Sequence, residues 1–204
     1  YRHGTPKSVW VELEKIVISK IPTDRGRNMM IFVVGVDIGY QTTYAYQWLD
    51  NTNAIYAIAI KGNDDSNKFI PFGKDSKSFK PSKEHPKLFL MESNILKDRL
   101  ADLVRLNFDS KISDVQPKGF MNFPIPSGGK YLFTNFFSHY EAEHKVMDKD
   151  TTYRWVKKND NVQNHLWDCR LYAHVAKDVY VYKICREAKI INGSWEDYVQ
   201  MFKK

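Results

Sequence analysis

Cysteine is scarce in this chain: Cys169 and Cys185 are its only two, which rules out a disulfide framework and the CxxC pairs of zinc sites. Cys169 falls in a helical run, where a small buried residue is expected. No apolar run approaches the roughly 20 residues of a membrane span, and Tyr1 opens no signal-like segment. A reducing, intracellular setting without membrane insertion is therefore expected. Ser127–Gly128–Gly129–Lys130 lacks the GxxxxGK[ST] spacing, which excludes ATP hydrolysis through a P-loop. A GxSxG elbow, an HExxH helix, internal repeats and low-complexity stretches are missing as well.

What is present suits one α/β domain, or one domain with a tail. The 204 residues include 12 Phe, 12 Tyr and 5 Trp, ample for a packed core. An excess of 31 Lys+Arg over 24 Asp+Glu, formally +7, admits a polyanion partner without identifying one.

Periodicity gives the organisation. Val9, Leu13, Ile16 and Val17 predict an amphipathic helix over 8–20, broken by Pro22. The apolar run over 29–37 is too short for a separate helix and predicts a strand buried on both faces. A helix over 42–49 and a second buried strand over 54–60 follow, so strand–helix–strand order implies a parallel sheet. Ligands bind beyond the carboxyl ends of such strands, where Asp37 and Lys61 stand. The lysine-, proline- and phenylalanine-rich stretch over 63–87 reads either as a solvated loop or as a flap whose Lys74, Lys77, Lys80 and Lys83 meet phosphates. Helices are expected over 92–104, 132–146 and 163–186, with a short strand at 119–124. His139 and His144 read as surface residues, and residues 187–204 as a basic, aromatic tail.

Two carboxylates carry the chemical clue. Asp37 ends a core strand, and Asp168 sits in a mostly apolar helix, sharing a face with Asn164, His165 and Tyr172. A carboxylate near a core loses hydration unless something positive compensates, and a divalent metal could serve both. Hard ions such as Mg2+ or Mn2+ prefer such oxygens, and a pair of them can drive phosphodiester cleavage. That chemistry normally needs a third acid; Asp64 and Asp65 are possible donors but read more simply as a solvated loop.

The runs Val36–Asp37–Ile38–Gly39–Tyr40–Gln41–Thr42, Ile58–Ala59–Ile60–Lys61–Gly62 and Asn164–His165–Leu166–Trp167–Asp168–Cys169–Arg170–Leu171–Tyr172–Ala173 resemble the nuclease part of large terminase subunits of tailed phages, nearest the lambda-like branch. Gly119–Phe120–Met121–Asn122–Phe123–Pro124 resembles the short strand ahead of that family's late helices. The resemblance implies an RNase H-like mixed sheet over 1–186, followed by the 187–204 tail. It also implies metal-dependent cutting of double-stranded viral DNA during genome packaging, in the host cytoplasm, with the small terminase subunit and portal as partners. Asp37 would match the second acidic position and Asp168 the third, with a two-metal Mg2+ or Mn2+ site. Asn164 and His165 would be neighbours of the metal.

The family's first acid lies on an opening strand, ahead of the helix at 8–20, and residues 1–7 contain neither Asp nor Glu. An N-terminally incomplete fold is thus expected, a fragment or half of a split protein, completed by the missing part and cutting poorly alone. The competing readings are a non-catalytic DNA-binding or portal-docking module, and another RNase H-like phosphotransferase such as a resolvase or transposase.

Overall fold

A computed structural model describes residues 6–23, 26–62, 79–123, 135–147, 153–190 and 193–203. They group into two compact units, one running up to Glu92 and resuming at Tyr172, the other spanning Ser93–Leu171.

In the first unit, helix α1 (Pro6–Val17) leads into an antiparallel pair, β1 (Lys20–Pro22) and β2 (Asn28–Met30). Next come β3 (Val34–Asp37), helix α2 (Thr42–Asn51), β4 (Ala57–Gly62), β5 (Phe79–Pro81) and β6 (Leu88–Met91). These last four strands form a mixed sheet in the order β3-β4-β6-β5, with β3, β4 and β6 parallel and β5 antiparallel at one edge. The parallel pairing of β3 with β4 is what the strand–helix–strand order predicted. Ala57–Ile60 is buried on both faces, because β4 is central. Ala57 and Ala59 join Val17, Ile38, Ala45, Trp48, Leu49 and Leu88 in one core cluster. Glu14 fastens α1 to the end of α2: its carboxylate accepts from the Thr52 hydroxyl at 2.6 Å and the Asn53 N–H at 2.8 Å. The Thr52 bond is the main reason its carboxyl lies below the ordinary range.

The single strand expected over 29–37 is corrected to two. The Thr23 N–H bonds the Arg27 carbonyl at 2.8 Å, and Gly26 takes φ 72°, folding β2 back onto β1. Met29, Met30 and Phe32 are consequently exposed rather than buried.

Helix α4 (His165–Glu187) contributes its start to the second unit and its remainder, from Tyr172, to the first. Its buried positions Trp167, Leu171, Val175 and Val179 recur every four residues, the spacing that keeps one face inward. Cys169 falls off that stripe and is exposed, against expectation, whereas Cys185 is buried. Gly35 of β3 lets this helix come close, since a Cβ there would stand 2.6 Å from Ile60 Cδ1 and 3.3 Å from Ala176 Cβ. Gly35→Val is expected to destabilise the first unit by about 1–3 kcal/mol through overpacking. A urea midpoint equal to wild type would show that Ile60 gives way instead. The 187–204 segment contains helix α5 (Trp195–Met201), started by a reciprocal Ser194–Asp197 capping box.

The second unit holds helix α3 (Ser93–Val104), a 3-10 turn at Phe137–His139, the start of α4, and an antiparallel pair, β7 (Glu143–Met147) and β8 (Tyr153–Lys157). The helix expected over 132–146 is therefore corrected, in its described part, to a 3-10 turn and a strand. Pairing with β8 outweighs the helical spacing of the aromatics, and Phe136, Phe137 and Tyr140 instead gather around Phe123. Residues 119–123 form no strand; the Phe120 N–H closes a turn onto the Pro117 carbonyl at 2.9 Å. No helix among the described residues is long and apolar enough to cross a membrane.

Candidate active site

Asp37 closes β3 opposite Ile60 of β4, with Lys61 the next residue along, so both stand at the carboxyl end of parallel strands as the topology required. Its carboxylate is exposed, which corrects the expected desolvation: the strand ends in solvent and burial costs it little. Oδ1 accepts the Gly39 N–H at 2.8 Å, and Oδ2 accepts the Tyr172 hydroxyl at 3.0 Å. A side chain at residue 39 would crowd this turn, since a Cβ there would lie 3.2 Å from Asp37 Oδ1. Two donors thus hold the carboxylate in one orientation while it faces water.

In the second unit, Asp168 occupies the first turn of α4, where the helix dipole favours a negative charge. Asn164 Nδ2 donates to Asp168 Oδ2 at 2.8 Å and to Glu143 Oε1 at 2.6 Å. Both acceptors are carboxylates, so the amide must turn its nitrogen toward them. Lys97 Nζ, on α3, bonds both oxygens of Glu143 at 2.8 and 2.7 Å and lies 3.5 Å from Asp168 Oδ1. Side-chain exposure falls from 29% at Asp168 to 12% at Lys97 and 4% at Glu143. The cluster therefore runs from a half-open carboxylate into a buried, charge-assisted ion pair. Its two carboxylates share one ammonium, leaving this trio with an excess of negative charge.

The structure brings Asn164 and Asp168 together, as their spacing implied. His165 is exposed, its ring 6.1 Å from that of His139. His139, expected at the surface, is half-buried, and its Nδ1 accepts the Leu166 N–H at 3.3 Å near the start of α4. Lys61 and Lys83 are exposed, and Lys80 is half-buried on β5. Lys74, Lys77, Asp64 and Asp65 lie outside the described residues.

Sequence reasoning missed Lys97 and Glu143. Lys97 flanks the buried stripe of Leu96 and Leu100, a faint sign that its ammonium has an inward partner. Glu143 carried no local signal, because its partners stand 46 and 21 residues away. Glu143 also lines a cavity of about 580 Å³ in the second unit, with Tyr140, Trp155 and Trp167 among its walls. Burial pushes the Tyr140 phenol above its ordinary pKa.

Carboxylate oxygens are the ligand type that Mg2+ and Mn2+ prefer; the first unit offers them at Asp37, and the second at Asp168 and Glu143. Among the described residues, no three His, Cys, Asp or Glu side chains converge into a metal-binding group, and the cation beside Glu143 and Asp168 is Lys97.

No curated protein and no solved structure gives a significant match. A family model does: that of the terminase large subunit gpA, endonuclease domain, matches residues 2–189. That span takes in both aspartates, the four-stranded mixed sheet and the Lys97–Glu143 cluster. The chain belongs to the family of the endonuclease domain of the terminase large subunit gpA.

Proposed function

We propose that this protein is a divalent-metal-dependent endonuclease that cuts double-stranded viral DNA during genome packaging in the host cytoplasm. The observation that carries the reading is the family match over residues 2–189. Asp37 and Asp168 are the carboxylates proposed to hold the metal. Bound there, Mg2+ or Mn2+, in a two-ion site, would supply the Lewis acidity for phosphodiester hydrolysis. The chain's own part is to orient the donors. The Gly39 N–H and Tyr172 hydroxyl hold Asp37, and Asn164 and Lys97 lie against the two oxygens of Asp168. His165 is proposed to act near the metal as a neighbour rather than a ligand.

The mixed sheet with its antiparallel edge strand supports an RNase H-like arrangement over 1–186, with 187–204 as its tail. The small terminase subunit and the portal are the proposed protein partners. Plasmid nicking in the presence and absence of EDTA tests the reading. A protein that never nicks, with Mg2+ or with Mn2+, but binds DNA would instead fit a non-catalytic packaging module. That second reading draws on Lys97, whose ammonium already lies 3.5 Å from Asp168 Oδ1, where a metal would have to bind.

DNA is proposed to run along Lys61, Lys74, Lys77, Lys80 and Lys83. Replacing Lys74, Lys77, Lys80 and Lys83 together by alanine is expected to weaken binding at low salt. If all four meet phosphates, the slope of log affinity against log salt becomes shallower by roughly 3 to 4, at about 0.9 per contact. An unchanged slope in a fluorescence-anisotropy titration would remove this stretch from the DNA path.

A further inference from the structure

We infer that the cavity of about 580 Å³ in the second unit is a nucleotide pocket, which takes one unstacked nucleotide of a DNA strand. The inference rests on the proposed DNA substrate, but on neither the metal nor the two aspartates. The volume falls in the range of small-ligand sites, roughly 300–1,000 Å³. The walls are aromatic and held in place. Tyr140, Trp167 and Trp155 form one continuous ring surface, with centroids 5.4 Å apart for Tyr140–Trp167 and 5.9 Å apart for Trp155–Trp167. Asp98 of α3 accepts the Trp155 indole N–H at 2.8 Å and the Lys145 ammonium at 2.9 Å, which fixes that side of the wall. Trp167 is buried, whereas Tyr140 and Trp155 are half-buried and line the cavity with part of each ring.

The pairing of charges decides what the ligand must bring. Every carboxylate of the lining already has a cation: Glu143 has Lys97, Asp98 has Lys145, and Asp102 has Arg105 at 3.6 Å. Lys158 and His144, also in the lining, make no side-chain hydrogen bond or ion pair among the described residues. The Tyr140 hydroxyl has no hydrogen-bond partner among them either, and burial, which raises its pKa, keeps it protonated and able to donate. An ammonium and an imidazole left over call for an anion, the hydroxyl for a polar edge, and the rings for a flat face. A nucleotide offers all three, in its phosphate, its base edge and its base plane. Bases inside a duplex are covered by their neighbours, so only an unstacked one can enter.

The test uses the intact protein in EDTA, with labelled oligothymidylate as the single strand and a duplex of equal length, both followed by fluorescence anisotropy. Trp155→Leu is expected to weaken single-strand binding about fivefold or more, the loss of one base stack. Lys158→Ala is expected to make the salt slope of that binding shallower by about 0.7, one phosphate contact on a single strand. Tyr140→Phe removes only the hydroxyl and is expected to weaken it several-fold, a second arm should circular dichroism show Trp155→Leu poorly folded. Duplex binding should not move in Trp155→Leu or Tyr140→Phe, whose rings a stacked duplex does not meet. An abasic strand, which keeps the phosphates and lacks the bases, should bind wild type and Trp155→Leu alike. Protein that binds neither strand nor duplex overturns the DNA reading and this inference with it. Duplex binding without single-strand binding, or with single-strand binding that all three variants leave unmoved, overturns the pocket alone. Tryptophan fluorescence quenched by thymidine monophosphate but not by oligothymidylate also overturns it, in favour of a free nucleotide.

Discussion

Asp168→Asn and Asp37→Asn, each alone, are expected to lower plasmid nicking by at least about a hundredfold in Mg2+ or Mn2+, with the fold unchanged. Both replacements keep the shape of the side chain and remove its charge. At residue 37 the asparagine oxygen can take the Gly39 N–H that Oδ1 accepts, while the NH2 that replaces Oδ2 can donate to the Tyr172 hydroxyl, which accepts as readily as it donates. At residue 168 the asparagine oxygen can still accept from Asn164. The local hydrogen bonding survives, so what disappears is the anionic donor that a hard cation requires. Nicking rates on supercoiled plasmid, beside thermal melts within a few degrees of wild type, give the comparison. Cutting that persists in both variants would sink the assignment of these two carboxylates.

Lys97→Met should cost the second unit about 3–5 kcal/mol, the penalty for stranding a buried charge when its partner is removed. The contrast with Lys15–Glu12 shows why burial decides this. That pair is as short, at 2.6 Å, but both side chains are about two-thirds exposed. Water replaces such a contact, so breaking it should cost at most about 1 kcal/mol. Glu143 has no such recourse at 4% exposure. Replacing both partners, as Lys97→Met/Glu143→Leu, should recover much of the loss because no buried charge remains. Urea unfolding of the three proteins checks the order. A loss below about 1 kcal/mol in the single variant would mean that Glu143 reaches water after all.

The elements legible in the sequence are those whose pattern is local. Helices α2, α3 and α4 each carry an apolar stripe at helical spacing, and each forms within a turn or so of its expected bounds. The continuous run Ala57–Ile60 was readable as a doubly buried strand because a central parallel strand has no polar face. What failed depended on distant partners. The β7 strand exists through its pairing with β8, and nothing in Glu143–Met147 itself outweighs the helix-like aromatics before it. The break after Met30 needed a partner too, since β2 is held by Lys20–Pro22 rather than by its own apolar residues.

The site divides the same way. Asn164 and Asp168 sit one helical turn apart, so their contact was implicit in their spacing. Asp37 was recognisable as the end of a parallel strand, though its carboxylate is exposed rather than desolvated as its place in an apolar run implied. Lys97 and Glu143 could not be paired from one sequence, because neither stands out among the chain's many charged residues.

The ion pair of Lys97 and Glu143 also bears on how the second unit assembles. Its partners are 46 residues apart, and Asn164 joins from another 21 residues on. Closing loops of that size carries an entropy cost that local helix formation does not. The start of α4 can wind by itself, but the surroundings of Asp168 are complete only when α3, β7 and α4 have all come together. A partly folded chain would carry the right aspartate in the wrong company, with no ion pair beside it. The cluster therefore reports on the tertiary assembly of the second unit, in a way that the winding of one helix does not.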